Sequence, residues 1–379
     1  MTDTVLEPTQ LDLSGERLTI SYQLTGGEPQ ARAIADQILV EQTIEFPLDL
    51  VPDDDIRAEI VAKEVRFDEL TPSTYDFSAS FAVEVVGGQL PQLLNVLFGN
   101  ISMVPGIRVT GIDLPTSLLA CFPGPQHGID GLRERFGTDG PLLATALKPM
   151  GTPVPQLAEF ARSLAAAGMH LIKDDHSFAT QPFCDFRERV KAIAQAVGEA
   201  NGDGIYLPSL NVPVEDLTSA IDFALEAGVG GFLVLPGLCG FDTMRSISAT
   251  TPVDTVIMAH PAMLGAFVTD ETSGIAHDIM FGTLARLAGA DVSIYPNFGG
   301  RFSFAPAACA AIATACRAPL EHIRPAWPSP AGGMSPERVP EMLEFYGPDT
   351  CLLVGGALYR GDIGKQVARM RAAVEGTKR

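Results

Sequence analysis

With 379 residues, the chain is long for one ordinary domain and suits two. Its hydrophobic fraction of 46% allows a substantial core, yet no run of about 18 apolar residues predicts a membrane span. The formal charge of −20 argues against nucleic acid and anionic membranes as partners. An anionic ligand would therefore need local donors such as helix N-termini, a metal ion or single cationic side chains.

The chain start and the cysteines indicate a cytoplasmic protein. The first residues, MTDTVLEPTQLDLSGE, lack the basic and apolar regions of a signal peptide. The six cysteines show no CxxC pair and no Cys/His spacing typical of a metal site, so we expect reduced core thiols.

The first 125 residues combine strand patterns with one helix pattern. The strand candidates are Arg17–Leu24, Ile60–Phe67 and Tyr75–Val86, and the helix candidate is Glu28–Glu41. Strands around a single helix predict a small α+β domain of ferredoxin-like type over residues 1–125. A linker helix at Ile129–Phe136 is predicted within residues 126–140.

From residue 141 short apolar runs alternate with alanine-rich helical stretches. The eight runs are LLATALK (142–148), HLIKDD (170–175), GIYLPSLN (204–211), GGFLVLP (230–236), DTVIMAH (254–260), DVSIYP (291–296), RPAWPSP (324–330) and CLLVGG (351–356). Eight βα units predict an α/β fold in which residues 141–379 form a (β/α)8 TIM barrel. An open doubly wound sheet is the alternative, but no GxGxxG motif follows the first strand.

Glycine pairs follow the seventh and eighth predicted strands. Gly332 and Gly333 precede Ser335, Pro336 and Glu337, which suit the start of a helix. Gly355 and Gly356 end the eighth strand. Since these two loops form the usual phosphate site of a TIM barrel, we expect a phosphate there, with tight turns that bind no ligand as the alternative.

The second predicted strand ends in Lys173, Asp174, Asp175 and His176. Alternate residues of a strand share a face, so Lys173 and Asp175 should point one way and Asp174 the other. Two inward polar groups at a barrel mouth suit a hard cation, provided that the lysine amine becomes a carbamate. A surface ion pair explains the cluster equally well.

Two further residues at strand ends could move protons. Lys148 ends the first strand and could serve as a base, as a phosphate contact or as a charge at the rim. His260 ends the fifth strand and has the side chain best suited to acid–base chemistry near neutral pH, although a buried core histidine is as plausible.

These motifs resemble the large subunit of ribulose bisphosphate carboxylase (RuBisCO) and, more closely, the RuBisCO-like proteins. In the barrel the matching segments are GPLLATALKPMG, GMHLIKDDHSFATQPFCDFRERV, AHPAM, PAGGMSPERVPEMLEFYG and CLLVGGALYRGD. In the N-terminal domain, EQTIEFP and LFGNISMVPGIRV resemble segments that reach over a neighbouring subunit's barrel. The string KDD-x5-QPF is the most specific of the matches.

The resemblance implies roles for particular residues. Lys173 would be carbamylated and would bind Mg²⁺ with Asp175 and His176, while Lys148 would be a catalytic base or acid. The four glycines, Gly332, Gly333, Gly355 and Gly356, would hold the phosphate. Glu41 and Asn100 would complete the site from the partner subunit, which implies a homodimer with shared active sites.

Departures from the family pattern argue against carbon fixation. The third metal ligand, an acid in the family, is His176 here, and the second lysine of the first strand is Met150. Pro261 replaces a phosphate-binding arginine, and the position of the strand-six histidine falls near Ser293 or Ile294. Arg301 aligns with the mobile lysine of loop 6.

The resemblance and its departures together predict an enzyme that forms a metal-stabilised enediolate from a phosphorylated small molecule. The substrate would carry one phosphate and would be a keto sugar, which is isomerised or enolised, or an oxo sugar acid, which is decarboxylated or cleaved. Arg301 favours the sugar-acid branch slightly, because a guanidinium can grip a carboxylate. The alternative is a homologue that binds its ligand without turnover.

Overall fold

The computed structural model describes residues 6–377 and divides into two compact units. The first unit runs to Phe122 and also includes Leu264–Met280. The second consists of Pro123–Met263 and the chain from Phe281 onward. Among residues 6–377, no helix combines the length and apolarity needed to cross a membrane.

The described residues contain thirteen strands and fourteen α-helices. The strands are β1 (Arg17–Thr25), β2 (Lys63–Thr71), β3 (Thr74–Ala82), β4 (Ile107–Asp113), β5 (Leu142–Leu147), β6 (Leu171–Asp174), β7 (Ile205–Leu207), β8 (Gly231–Val234), β9 (Val256–Ala259), β10 (Gly274–Ile275), β11 (Val292–Pro296), β12 (Trp327–Ala331) and β13 (Cys351–Val354). The helices are α1 (Glu28–Glu41), α2 (Leu90–Phe98), α3 (Thr116–Leu119), α4 (Gly128–Phe136), α5 (Val154–Ala166), α6 (Phe186–Gly198), α7 (Leu217–Glu226), α8 (Pro236–Cys239), α9 (Phe241–Thr250), α10 (Gly265–Val268), α11 (Leu284–Leu287), α12 (Pro306–Arg317), α13 (Val339–Tyr346) and α14 (Ile363–Thr377).

The first unit is built on a five-stranded sheet in the order β10-β4-β1-β3-β2. Strand β1 buries every second residue, as its alternating sequence predicts, and the same residues pack into the core of the unit. Strand β2 begins three residues later than predicted, because Ile56–Ile60 forms a π-helical turn. Helix α1 spans the predicted residues.

Strand β10 belongs to the sheet of the first unit, although its residues lie far along the chain from the other strands of that sheet. Gly274 and Ile275 pair in parallel with Arg108 and Val109 of β4, and the Gly106 N–H donates to Ser273 Oγ at 2.8 Å. The domain limits drawn from the sequence assigned this segment to the barrel. A two-residue strand carries too little periodicity to reveal its pairing.

The second unit is a closed barrel whose sheet has the order β7-β6-β5-β13-β12-β11-β9-β8. Hydrogen bonds between the strand ends of β7 and β8 complete the ring, with Leu210 N–H donating to Leu233 O at 3.0 Å. The eight predicted strands all form, which confirms the TIM barrel. Helix α4 contributes Ile129, Leu132 and Phe136 to the apolar core that residues of the barrel strands form.

Candidate active site at the barrel mouth

Strand β6 directs its polar residues to two different environments. Asp174 is fully buried and accepts hydrogen bonds from Tyr206 Oη at 2.7 Å, Arg189 Nε at 3.1 Å and Ser209 N–H at 3.1 Å. Asp175 instead pairs with Lys148 at the mouth of the barrel. The predicted alternation is therefore confirmed, and Asp174 has a structural role.

Arg189 is the structural partner that the sequence reasoning missed. Its guanidinium is fully buried, and Nη1 donates to Ala179 O at 2.9 Å and to Cys184 O at 3.2 Å, within the loop that follows β6. The available signal was its place on the apolar face of α6, three residues after the buried Phe186 and directly before the buried Val190, because arginine is seldom fully buried unless it is paired.

The carboxylate of Asp175 collects four hydrogen-bond donors. Oδ1 accepts from Ser177 N–H at 3.0 Å and Ser177 Oγ at 2.7 Å and lies 3.1 Å from His176 Nδ1, while Oδ2 lies 2.9 Å from Lys148 Nζ. Burial alone would raise its pKa, but the bonds from His176, Ser177 and Lys148 outweigh burial and hold the pKa of Asp175 well below its ordinary value. The carboxylate is therefore ionised at neutral pH.

Lys173 is 3% exposed, so the surface ion pair considered from the sequence does not describe it. Its Nζ donates to Asp174 O at 2.9 Å. Burial lowers the pKa of Lys173 to about 8, with Lys148 acting in the same direction and Asp175 opposing. A substantial fraction of the amine is neutral near pH 8, which is the form that reacts with carbon dioxide.

Two imidazole rings stack at the same mouth. His176 and His260 lie with ring centroids 4.5 Å apart and an angle of 8° between their planes. Burial, Lys173 and His176 lower the pKa of His260 well below its ordinary value, so its ring is neutral at pH 7. Because Nδ1 accepts from Ala262 N–H at 3.1 Å, the proton of the neutral ring lies on Nε2.

Loop 7 (residues 332–335) is shaped by its own packing. Gly332 and Gly333 adopt φ values of +109° and +68°, which disfavour other residues. A Cβ on Gly333 would lie 2.9 Å from Arg338 Nη1 and 3.0 Å from Gly299 O. A helical segment starts at the expected place, since Ser335 precedes a 3-10 turn at Pro336–Arg338 that leads into α13, but the Ser335 side chain makes no capping hydrogen bond.

Loop 8 (residues 355–356) has a different environment. Neither Gly355 nor Gly356 has a positive φ, and a Cβ built on either would meet no atom within 4 Å. Both glycines are at least partly exposed. The space above this backbone is open to a ligand.

The chain was compared with known protein families and relatives. The catalytic domain of the ribulose bisphosphate carboxylase large chain matches residues 128–297. The 5-methylthioribulose-1-phosphate isomerase of Rhodospirillum rubrum is 38% identical, over 95% of this chain and 97% of its own. Ribulose bisphosphate carboxylase-like protein 1 of Rhodopseudomonas palustris is 36% identical, over 92% and 94%. The chain belongs to the RuBisCO-like family.

Further comparisons agree with this membership. A 2,3-diketo-5-methylthiopentyl-1-phosphate enolase of Geobacillus kaustophilus is 32% identical to this chain, over 71% of this chain and 67% of the enolase. A crystal structure of a RuBisCO-like protein from Rhodopseudomonas palustris has a TM-score of 0.85 at 34% identity, covering 97% and 99%. A dimeric archaeal RuBisCO from Hyperthermus butylicus has a TM-score of 0.88 at 25% identity, covering 97% and 92%. Two of these relatives are named as enzymes of phosphorylated sugars, one as an isomerase and one as an enolase.

The departures of this RuBisCO-like chain from the carboxylases have structural counterparts. Met150 is 42% exposed in the loop after β5. Ser293 is buried and donates from Oγ to Phe281 O at 2.6 Å, and Ile294 belongs to the barrel core. Arg301 is exposed, with its guanidinium 4.7 Å from the ring centroid of Phe302.

Glu41 and Asn100 lie in the first unit of the RuBisCO-like chain. Glu41 ends α1, and Asn100 opens a 3-10 turn. The neighbouring residues join these segments, because the buried Gln42 accepts from Ile101 N–H at 3.4 Å and donates to Val96 O at 2.8 Å. The structure therefore brings the two predicted segments together within one unit.

A metal site at the mouth depends on the chemistry of Lys173. Among residues 6–377, no three His, Cys, Asp or Glu side chains converge as a metal-binding group. Asp175 and His176 supply two adjacent metal-binding side chains, and Lys148 Nζ lies 2.9 Å from Asp175 Oδ2. A carbamate on Lys173 would add the missing oxygen donor, so the residues fit Mg²⁺ once that lysine carries carbon dioxide.

Proposed function

We propose that this protein catalyses proton transfer next to the carbonyl of a phosphorylated keto sugar, forming an enediolate that is isomerised or released as an enol. The observation that carries the proposal is Lys148 Nζ, held 2.9 Å from the ionised Asp175 at the barrel mouth. The relatives named as an isomerase and an enolase support the same class of substrate. They favour a keto sugar over the sugar acid that Arg301 suggested.

Lys148 is the group that would carry the proton. Its side chain is 44% exposed, so a substrate can reach its amine, and Asp175 fixes its position. Isomerisation requires a proton to be taken from one carbon and returned to the next. In its neutral form, a single lysine amine between the two carbons can take the proton from one and return it to the next, and the amine is neutral again at the end.

His260 would stabilise the oxygen that becomes negative in the enediolate. Its neutral ring presents a proton on Nε2, as argued from the hydrogen bond at Nδ1. A neutral donor polarises a carbonyl without giving up its proton. Arg301 would contact the polar end of the substrate from loop 6 (residues 297–301).

The metal and the phosphate complete the proposed site. Lys173 as a carbamate, Asp175 and His176 would hold Mg²⁺, which when bound supplies positive charge to the substrate's oxygens. The backbone N–H groups of loops 7 and 8, at Gly332, Gly333, Gly355 and Gly356, would bind the phosphate. We further propose a homodimer in which Glu41 and Asn100 reach the partner's site.

The test is deuterium exchange in D2O with Mg²⁺ and bicarbonate. We expect the purified protein to exchange the proton next to the carbonyl of 5-methylthioribulose 1-phosphate or 2,3-diketo-5-methylthiopentyl 1-phosphate. NMR spectroscopy would monitor the exchange. Replacing Lys148 by Met should lower the rate by about a hundredfold or more. Lys365→Met, a change at an exposed position of helix α14, is the control and should leave the rate unchanged.

Two results would contradict the proposal. Tight binding of both compounds without exchange would favour a homologue that binds its ligand without turnover. Fixation of radiolabelled bicarbonate into phosphoglycerate from ribulose bisphosphate would make the protein a carboxylase after all.

A further inference from the structure

Tyr359 connects loop 8 to the end of strand β5. It lies in the 3-10 turn Gly356–Tyr359, immediately after the glycines of loop 8. Its hydroxyl donates to Ala146 O at 2.8 Å and accepts from Lys148 N–H at 3.1 Å. One side chain therefore holds both backbone groups that flank Leu147.

The hydroxyl occupies the position of a missing strand residue. The parallel ladder between β5 and β13 ends at the pair Thr145 and Val354. In a parallel sheet, a residue of one strand donates to one residue of its neighbour and accepts from the residue two places further on. Tyr359 reproduces that pattern beyond the end of β13, so it extends the ladder to Lys148.

The environment of the ring keeps this arrangement intact. Burial raises the pKa of Tyr359 to about 12, so the hydroxyl retains its proton and can donate at neutral pH. The ring meets Phe160 of α5 edge to face, with centroids 5.7 Å apart. These contacts hold the ring independently of its two hydrogen bonds.

We propose that Tyr359 is a positioning residue for Lys148, and that it links the geometry of loop 8 to the proton-transfer lysine. This inference rests on the proposed function. A lysine side chain has a flexible four-carbon stem, so the position of its amine depends on a fixed backbone. Small displacements of a reacting group cost large factors in rate, which gives the tyrosine a functional role through Lys148.

The variant Tyr359→Phe removes both hydrogen bonds and keeps the ring. Amide hydrogen exchange at Lys148 should become at least about tenfold faster, because its N–H loses its acceptor. Acetylation of the Lys148 side chain by acetic anhydride, monitored by peptide mass spectrometry, should become at least about threefold faster, because the amine is held less firmly against Asp175. Phe160→Leu is the matched control, since leucine keeps an apolar contact with the ring and leaves the hydroxyl bonds in place.

Kinetics provide the functional readout. In Tyr359→Phe we expect kcat to fall by about tenfold to a hundredfold while KM changes less than about threefold, because the substrate still binds but the amine is misplaced. Phe160→Leu should keep kcat within about threefold at the same thermal stability. If the effect came only from a general loss of stability, kcat would instead fall in both variants together.

Each outcome bears on the inference. Unchanged exchange at the Lys148 amide in Tyr359→Phe would overturn it, and so would faster exchange with an unchanged kcat. If the wild-type protein turns over neither substrate, the proposed function fails. The acetylation rate of Lys148 still decides whether Tyr359 positions that amine. Equal rates in the wild-type protein and in Tyr359→Phe would overturn the inference.

Discussion

The two glycine loops at the barrel mouth differ in what makes glycine necessary. In loop 7, Gly333 has a positive φ, and a Cβ would collide with Arg338 and Gly299. In loop 8, Gly355 has no positive φ, and a Cβ would meet nothing within 4 Å. The sequence presents the two pairs alike, as Ala-Gly-Gly and Val-Gly-Gly.

This difference separates folding from binding. The positive φ of both loop 7 glycines, together with the close neighbours of Gly333, accounts for them without a ligand. The packing of loop 8 does not account for its glycines, so the open space above Gly355 and Gly356 is the stronger indication of a phosphate site. Substitutions in the two loops should therefore have different consequences.

The largest effect is expected for Gly333→Val. The positive φ and the collision with Gly299 O should cost about 3 kcal/mol in the free energy of unfolding. Urea unfolding followed by circular dichroism would measure the loss. Gly355→Val is the matched control for the same chemical change, and equal losses in both variants would erase the distinction between the loops.

A smaller loss of stability is expected for Asn297→Ala. Asn297 is fully buried, accepts from Tyr346 Oη at 2.6 Å and donates to Gly332 O at 3.4 Å, so it ties loop 7 to α13. Alanine would remove both the acceptor of the bond from Tyr346 Oη and the donor to Gly332 O, at a cost of about 2 kcal/mol.

The double variant Asn297→Ala/Tyr346→Phe tests that mechanism. It removes both partners of one hydrogen bond, so its loss in the free energy of unfolding should be smaller than the sum of the losses in the two single variants. If the loss in the double variant equals the sum of the losses in the two single variants, the hydrogen bond between these side chains does not anchor loop 7.

Next in size is the effect of Gly355→Val on binding. A valine side chain would fill the open space of loop 8 and weaken binding of a phosphorylated substrate by more than about tenfold, or about 1.4 kcal/mol. The free energy of unfolding should fall less than in Gly333→Val, because a Cβ on Gly355 meets no atom within 4 Å. Calorimetric titration with 5-methylthioribulose 1-phosphate would measure it, and unchanged affinity would place the phosphate elsewhere.

The strands and the order of the site residues were predictable from the sequence because they depend on local periodicity. All eight barrel strands and the opposite directions of Asp174 and Asp175 follow from that periodicity. The distinction between the glycine pairs does not, because it depends on Gly299 and Arg338, which only the fold brings to Gly333. The same holds for Tyr359, which meets Lys148 across 211 residues of chain.

The smallest effect is expected from pH, and it separates loop 8 from the lysine cluster, which consists of Lys148 and Lys173. Backbone N–H groups do not titrate, and a phosphate monoester is already a dianion above pH 7. The dissociation constant of the phosphorylated substrate should therefore change less than about threefold between pH 7 and pH 9, or about 0.6 kcal/mol.

The lysine cluster should respond to the same change of pH. Burial lowers the pKa of Lys173 from an ordinary value of 10.5 to about 8, so the native protein binds fewer protons than the unfolded chain between these two values. Stability should therefore rise with pH across that window, relative to a Lys173→Met variant. Urea unfolding at pH 7 and pH 9.5 checks the sign. If the substrate's affinity instead falls more than about tenfold between pH 7 and pH 9 in the wild type, and stays constant in Lys173→Met, the phosphate is held by the lysine cluster and not by loop 8.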